Sequence, residues 1–171
     1  MKRAILWVIF SLTTTAFAQM PSLEPPAEVT AMKWMVGEWT SKVHWTMEGQ
    51  EMDADMTLKN EFEGQFLKQT STMDMMGMKF TEVGYLGYDK AKKKYYMYTF
   101  TNYGPTPRIE WGTLENNKMV MISEPWDAGM GAPMTSRATL TKKSDTEVHF
   151  VLEFKNGDKW DKAAEGTFKK K

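Results

Sequence analysis

Apolar and polar residues alternate with period two over much of this chain. Trp39, Ser41, Val43, Trp45 and Met47 occupy one set of positions, against Thr40, Lys42, His44 and Thr46 on the other. The split sharpens in the next segment, where Met52, Ala54, Met56, Leu58 and Phe62 oppose Glu51, Asp53, Asp55, Thr57, Lys59, Glu61 and Glu63. It recurs at Val148, Phe150, Leu152 and Phe154, opposite Glu147, His149, Val151 and Glu153. Successive residues of a strand point to opposite sides of a sheet, so each segment predicts a strand buried on one face. Turn residues separate the segments at Gly49, Gly64, Gly77, Asp89, Gly104-Pro105, Asn116-Asn117, Pro125 to Pro133, Ser144-Asp145 and Asn156-Gly157. Nine such turns imply ten strands of ordinary length. Short connections make neighbours antiparallel, and closing the sheet removes exposed edges. The expectation is an all-β fold: a single antiparallel up-and-down barrel of about ten strands. Helical spacing occurs once, at Val29, Met32, Met35 and Val36 before Gly37, and predicts a short N-terminal helix or two helical turns.

The N-terminus follows another pattern. Lys2 and Arg3 precede the apolar run Ala4 to Phe10, and Ala16-Phe17-Ala18 supplies small residues before Gln19. This is the layout of a secretory signal peptide over 1–18. Ser11, Thr13, Thr14 and Thr15 dilute the run below the roughly 20 apolar residues of a membrane span, so no anchor is expected after cleavage. Residues 19–27 form a Pro-rich extended lead-in, and 28–171 form the barrel domain. The location this implies is a bacterial periplasm or the exterior.

Composition narrows the chemistry. Among 171 residues, 22 Lys+Arg balance 22 Asp+Glu, which leaves no basic excess for nucleic acid. The absence of cysteine excludes disulfides, thiolate metal sites and cysteine nucleophiles. The two histidines, His44 and His149, share the charged faces of their strands, which disfavours an inward haem ligand or a Ser-His-Asp triad. Asp53 and Asp55 share a face but have no glycine-bearing loop to organise a calcium site. No cofactor is expected.

Certain runs carry a resemblance. Met35-Val36-Gly37-Glu38-Trp39 resembles the Gly-x-Trp opening of lipocalin-like barrels. Glu61-Phe62-Glu63-Gly64-Gln65-Phe66-Leu67, then Met75-Met76-Gly77-Met78-Lys79-Phe80, then Gly84-Tyr85-Leu86-Gly87-Tyr88-Asp89 with Lys92-Lys93-Lys94-Tyr95, follow in order. Together these resemble an uncharacterised bacterial secreted family, domain of unknown function 1579, from Val29 to about Phe168. The resemblance implies a calycin-like (lipocalin-like) barrel in which a helical turn closes one end and Trp39 plugs it. It implies no reaction.

Methionine is the compositional anomaly, at 16 residues. Thioether side chains are flexible and polarizable, so a barrel lined with Met and aromatic rings can reshape around an apolar guest. The leading expectation is an exported, non-enzymatic barrel whose partner is a small apolar or amphipathic molecule held inside. Parity places Gln69 and Ser71 inward with Leu67, and Glu82 inward with Phe80, Gly84 and Leu86. A buried Glu82 needs a partner, and Arg137 or Arg108 is the natural choice. Arg137 is alternatively an end cap over Trp39. Gln69, Glu82, Trp111, Trp126 and Arg137 are the candidate ligand contacts. The loops at 103–108 and 125–134 are candidate lids.

Three rival readings remain. A filled barrel would act through an outer surface bearing Tyr96, Tyr98 and Trp126. Met73, Met75, Met76 and Met78, clustered at one hairpin, could carry Cu(I) through soft sulfur ligands. An enzyme would use Glu82 with a tyrosine partner, which requires a perturbed carboxylate in a cleft.

Overall fold

The computed structural model describes residues 24–171 apart from positions 48 and 130 and the side chain at 47. The segment read as a signal peptide, and 19–23 of the lead-in, lie outside the described residues. A four-residue helix α1 (Ala27–Thr30) and a 3-10 turn (Lys33–Met35) precede the strands. These are β1 (Gly37–Met47), β2 (Gln50–Glu63), β3 (Phe66–Met75), β4 (Met78–Asp89), β5 (Lys94–Thr101), β6 (Arg108–Glu115), β7 (Lys118–Ser123), β8 (Trp126–Asp127), β9 (Pro133–Met134), β10 (Ser136–Lys142), β11 (Glu147–Asn156) and β12 (Lys159–Lys170). Ten of them close one antiparallel barrel, ordered β1-β12-β11-β10-β7-β6-β5-β4-β3-β2. The small β8–β9 hairpin is inserted between β7 and β10. Apart from that insertion each strand pairs with its sequence neighbours, and β12 returns to β1. The fold is the expected ten-strand up-and-down barrel, calycin-like and opened by a short helix.

Turn chemistry sets the hairpins. Met76 (φ 54°) and Gly77 (φ 77°) join β3 to β4, and Asn116 (φ 49°) and Asn117 (φ 64°) join β6 to β7. Two successive positive φ angles match the right-handed twist of paired strands. At the β4–β5 connection the Asp89 Oδ1 accepts the N–H groups of Ala91 and Lys92, both at 2.9 Å. That turn explains the Leu-Gly-Tyr-Asp run in structural terms. A bulge in β12 opposite Leu152 and Glu153 inserts Ala163, so both Ala163 and Ala164 are buried.

The helical turns seal one end. Val29, Met32 and Met35 are buried against Leu67, Leu86, Tyr95, Met119 and Met121. The Tyr95 hydroxyl donates to the Glu28 carbonyl at 2.8 Å, tying the helix to β5. Trp39 is buried and its Nε1 donates to the Met35 carbonyl at 2.7 Å. Gly37 sits at φ 124°, where a Cβ would fall 2.7 Å from Lys170 Cε. The cation over the Trp39 ring is Lys170, with Nζ 5.3 Å from the centroid, and not Arg137 as one reading expected.

Elsewhere the strands meet too closely for a side chain. A Cβ on Gly112 would lie 1.9 Å from the Val120 carbonyl oxygen, a backbone atom held by the β6–β7 ladder. Replacing Gly112 by Ala therefore has to displace a strand, and the expected cost is about 3 kcal/mol or more, at the upper end of overpacking effects. Urea denaturation monitored by tryptophan fluorescence measures it.

Candidate functional site

Inside the barrel, beyond the helical seal, lies a cavity of about 160 Å³. Its wall is mostly apolar: Met35, Met56, Met73, Met97, Met119 and Met121 alternate with Trp45, Phe80, Phe150, Phe168, Leu58, Leu86 and Leu152. The one-face pattern of β1, β2 and β11 puts Trp45, Met56, Leu58, Phe150 and Leu152 there. Polar groups enter the wall at two levels.

Near the helix, Asn60 donates to the Met35 carbonyl at 3.1 Å, and Gln69 Nε2 donates to Asn60 Oδ1 at 3.1 Å. One carbonyl thus accepts from both Asn60 and Trp39 and fixes the floor to the plug. Gln69 lines the cavity as expected. Asn60 shares parity with Leu58 and Phe62, and only its polarity hid it among the inward residues of β2.

At the far end the cavity meets a largely buried ionic cluster. Arg108 Nη1 and Nη2 donate to the two oxygens of Glu82 at 3.0 and 3.3 Å, and its Nε donates to Glu110 Oε2 at 3.2 Å. The Tyr103 hydroxyl donates to Glu82 through a short hydrogen bond, and Ser71 Oγ lies 3.5 Å from the other oxygen. Ser71, Glu82, Tyr103, Arg108 and Glu110 all line the cavity. Burial opposes charge on Glu82, but the Arg108 guanidinium and the hydrogen bonds outweigh it, holding Glu82 below the usual carboxylate range. Burial and the adjacent Glu82 push the Tyr103 phenol up, so it remains a donor. Arg108 is penalised by burial too, yet Glu110 and Glu82 drive its value higher still. Glu82 is therefore an ionised anchor at neutral pH, unsuited to act as a general acid.

Loops hold the cluster in place. Asn102 clamps the end of β5 to β4: its Nδ2 donates to the Lys79 carbonyl at 3.0 Å and its Oδ1 accepts from Thr81 N–H at 2.9 Å. Thr101 Oγ1 accepts from Gly104 N–H at 3.0 Å, so Tyr103 is gripped on both sides. Its ring meets Phe80 edge-on at 5.5 Å. The second loop folds onto the first: Trp126 packs against Tyr103 (6.5 Å) and stacks near the Arg108 guanidinium (5.2 Å). The two candidate lids thus meet at one end of the barrel, opposite the helix.

Three expected contacts take other positions. Trp126 is only 6% exposed and sits behind Arg108, outside the cavity wall and unavailable as an outer contact. Trp111 faces outward, where its Nε1 donates to Glu124 at 2.9 Å and Lys92 Nζ lies 3.6 Å from the ring. Arg137 also faces outward, in a bidentate pair with Glu153 at 2.6 and 2.7 Å and 4.5 Å from the Trp160 ring. The physical reason is strand phase. Arg108 and Glu110 point in on β6 while Ile109 and Trp111 point out, and Ser136, Ala138 and Leu140 point in on β10. Of the two candidate arginines, Arg108 is the one that meets Glu82.

The methionine run is divided. Met73 lines the cavity, while Met76 and Met78 are exposed at the hairpin tip. His44 bonds Asp53 at 3.0 Å on the outer face. Among the described residues no group of three or more His, Asp or Glu side chains is arranged to hold a metal ion.

Arg108→Met would leave the buried Glu110 and the part-buried Glu82 without their cation, and a loss of about 3 kcal/mol is expected. In the unaltered protein, Glu82 has a lowered folded-state pKa, so its contribution is present above the unfolded value of 4.5 and is lost as pH falls through the folded value. Denaturation between pH 7 and pH 3 should show stability falling below pH 4.5, with a shallower fall in Glu82→Gln.

Comparison with known proteins is consistent with this architecture. The crystal structure of Rv2717c from M. tuberculosis superposes with a TM-score of 0.65 at 12% identity, over 86% of this chain and 99% of that one. At that identity the likeness concerns the fold. No curated protein matches the chain. The family model described as protein of unknown function (DUF1579) matches residues 24–170, and the chain belongs to that family.

Proposed function

We propose that this barrel is an exported carrier that holds a small apolar or amphipathic molecule in its interior without chemically altering it. The observation that carries the reading is the cavity itself: about 160 Å³, walled by methionine and aromatic side chains, with polar groups gathered at its two levels. An apolar wall with few, fixed polar groups is the usual makeup of a ligand site. The volume is close to the ~150 Å³ that admits benzene in an engineered core and below the ~300 Å³ of the smallest drug-sized sites. It suits a single ring or a short chain, and flexible Met side chains allow a somewhat larger guest. Export is supported by Lys2 and Arg3, the apolar run to Phe10, and the Ala16-Phe17-Ala18 cleavage pattern.

Native mass spectrometry of protein purified without detergent, followed by solvent extraction, tests this reading. A guest of defined mass, released on unfolding, is expected. Ala138 lines the cavity. Ala138→Phe should abolish guest binding while costing no more than about 2 kcal/mol, because the added ring fills existing space. A folded Ala138→Phe variant that binds as before would sink the interior site.

A second reading rests on the outer face. Phe100 (57% exposed), Tyr98 and Ile122 stand out from β5 and β7, and the rings of Tyr96, Tyr98 and Trp111 lie 5.8–5.9 Å apart in one row. A self-association surface there would show in sedimentation as a concentration-dependent dimer that Phe100→Lys dissolves.

A further inference from the structure

The two carboxylates at the loop end of the cavity are not balanced. Glu82 uses both oxygens on Arg108, Tyr103 and Ser71. Glu110 is 4% exposed and makes a single hydrogen bond, from Arg108 Nε to Oε2. Its Oε1 has no hydrogen-bond partner among the described residues, and the side chain forms part of the cavity wall. Among the described residues, Arg108 is the one cation in that wall, set against two carboxylates. The cluster therefore carries a formal charge of −1, in an apolar enclosure where an uncompensated charge is costly.

Resting on the interior-site reading above, we propose that the guest is a small hydrophobic amine whose ammonium group binds Glu110 and whose apolar body lies against the methionine and aromatic wall. An ammonium supplies the missing positive charge and up to three donors, one of which suits the unused Glu110 oxygen. The aromatic residues Trp45, Phe80 and Phe150 in the wall suit a cationic guest better than an anionic one. A carboxylate or phosphate guest would instead add a second negative charge beside an arginine already committed to two partners. A neutral alcohol would satisfy the oxygen but leave the charge.

Isosteric probes of single-ring size separate the possibilities. Toluene, benzyl alcohol, benzylamine and benzoate are titrated into the full-length mature protein by calorimetry and by chemical-shift perturbation. Benzylamine is expected to bind about tenfold or more tightly than benzyl alcohol, in line with a hydrogen bond to a charged group, and benzoate weakest. Glu110→Gln should erase the benzylamine advantage and leave toluene binding unchanged. Should that variant not fold, the ranking on the unaltered protein decides alone. Toluene binding with no preference for the amine, or a preference for benzoate, would overturn the charge assignment while sparing the interior site. No binding by any of the four would overturn both.

Discussion

Ten strands enclose more space than their own inward side chains can fill. Eight-stranded barrels are about wide enough to be packed solid or to hold one small guest, and the diameter grows with strand number. The rest of this molecule answers that constraint. One end is stoppered by two helical turns, whose Met35 carbonyl gathers Trp39 and Asn60. The other is covered by two loops leaning on each other through Trp126 and Tyr103. What lies between is left to residues that pack without demanding a unique arrangement, and methionine suits that task.

The inner polar cluster follows a different logic. A guanidinium and two carboxylates removed from water are expensive, and such groups stabilise a fold only when geometry satisfies them. Here the geometry comes from opposite sides of one stretch of wall: Glu82 from β4, Arg108 and Glu110 from β6, with β5 between. Tyr103 reaches in from the connection between β5 and β6 and is itself held by Asn102 and Thr101. The loop, the cluster and the barrel end form one mechanical unit, and none of its members could be replaced by an apolar residue without exposing another's unmet hydrogen bond.

Most of the architecture was readable from alternation alone. On β1, β2 and β11 one face is apolar and the other charged, and the barrel buries the apolar face, as Val43, Leu58 and Val148 show. Glu82 and Gln69 could be placed because their strand neighbours set the phase. The reading failed where both faces carry large side chains. On β6 the sequence Arg108-Ile109-Glu110-Trp111 invites the apolar pair inward, yet the charged pair is inside, because Arg108 and Glu110 complete each other and Glu82. That inversion displaced Trp111 from the expected site. It also hid Glu110, whose partner Arg108 is held in turn by Glu82, 26 positions away. Arg137 was misplaced for the reciprocal reason: β10 turns Ala138 and Leu140 inward and leaves the arginine to Glu153. Pairing across strands is a property of the closed sheet, and a single strand does not announce it.

Six methionines on the cavity wall also make its character conditional on their sulfur chemistry. Oxygen transfer to a thioether gives a sulfoxide, which is polar, chiral and no longer at ease beside Phe150 or Leu152. A barrel built this way would lose its greasy lining stepwise under oxidative stress while its backbone ladder stayed intact. Repair by a sulfoxide reductase would restore that lining only if the helical stopper or the loop cover let the damaged side chain out.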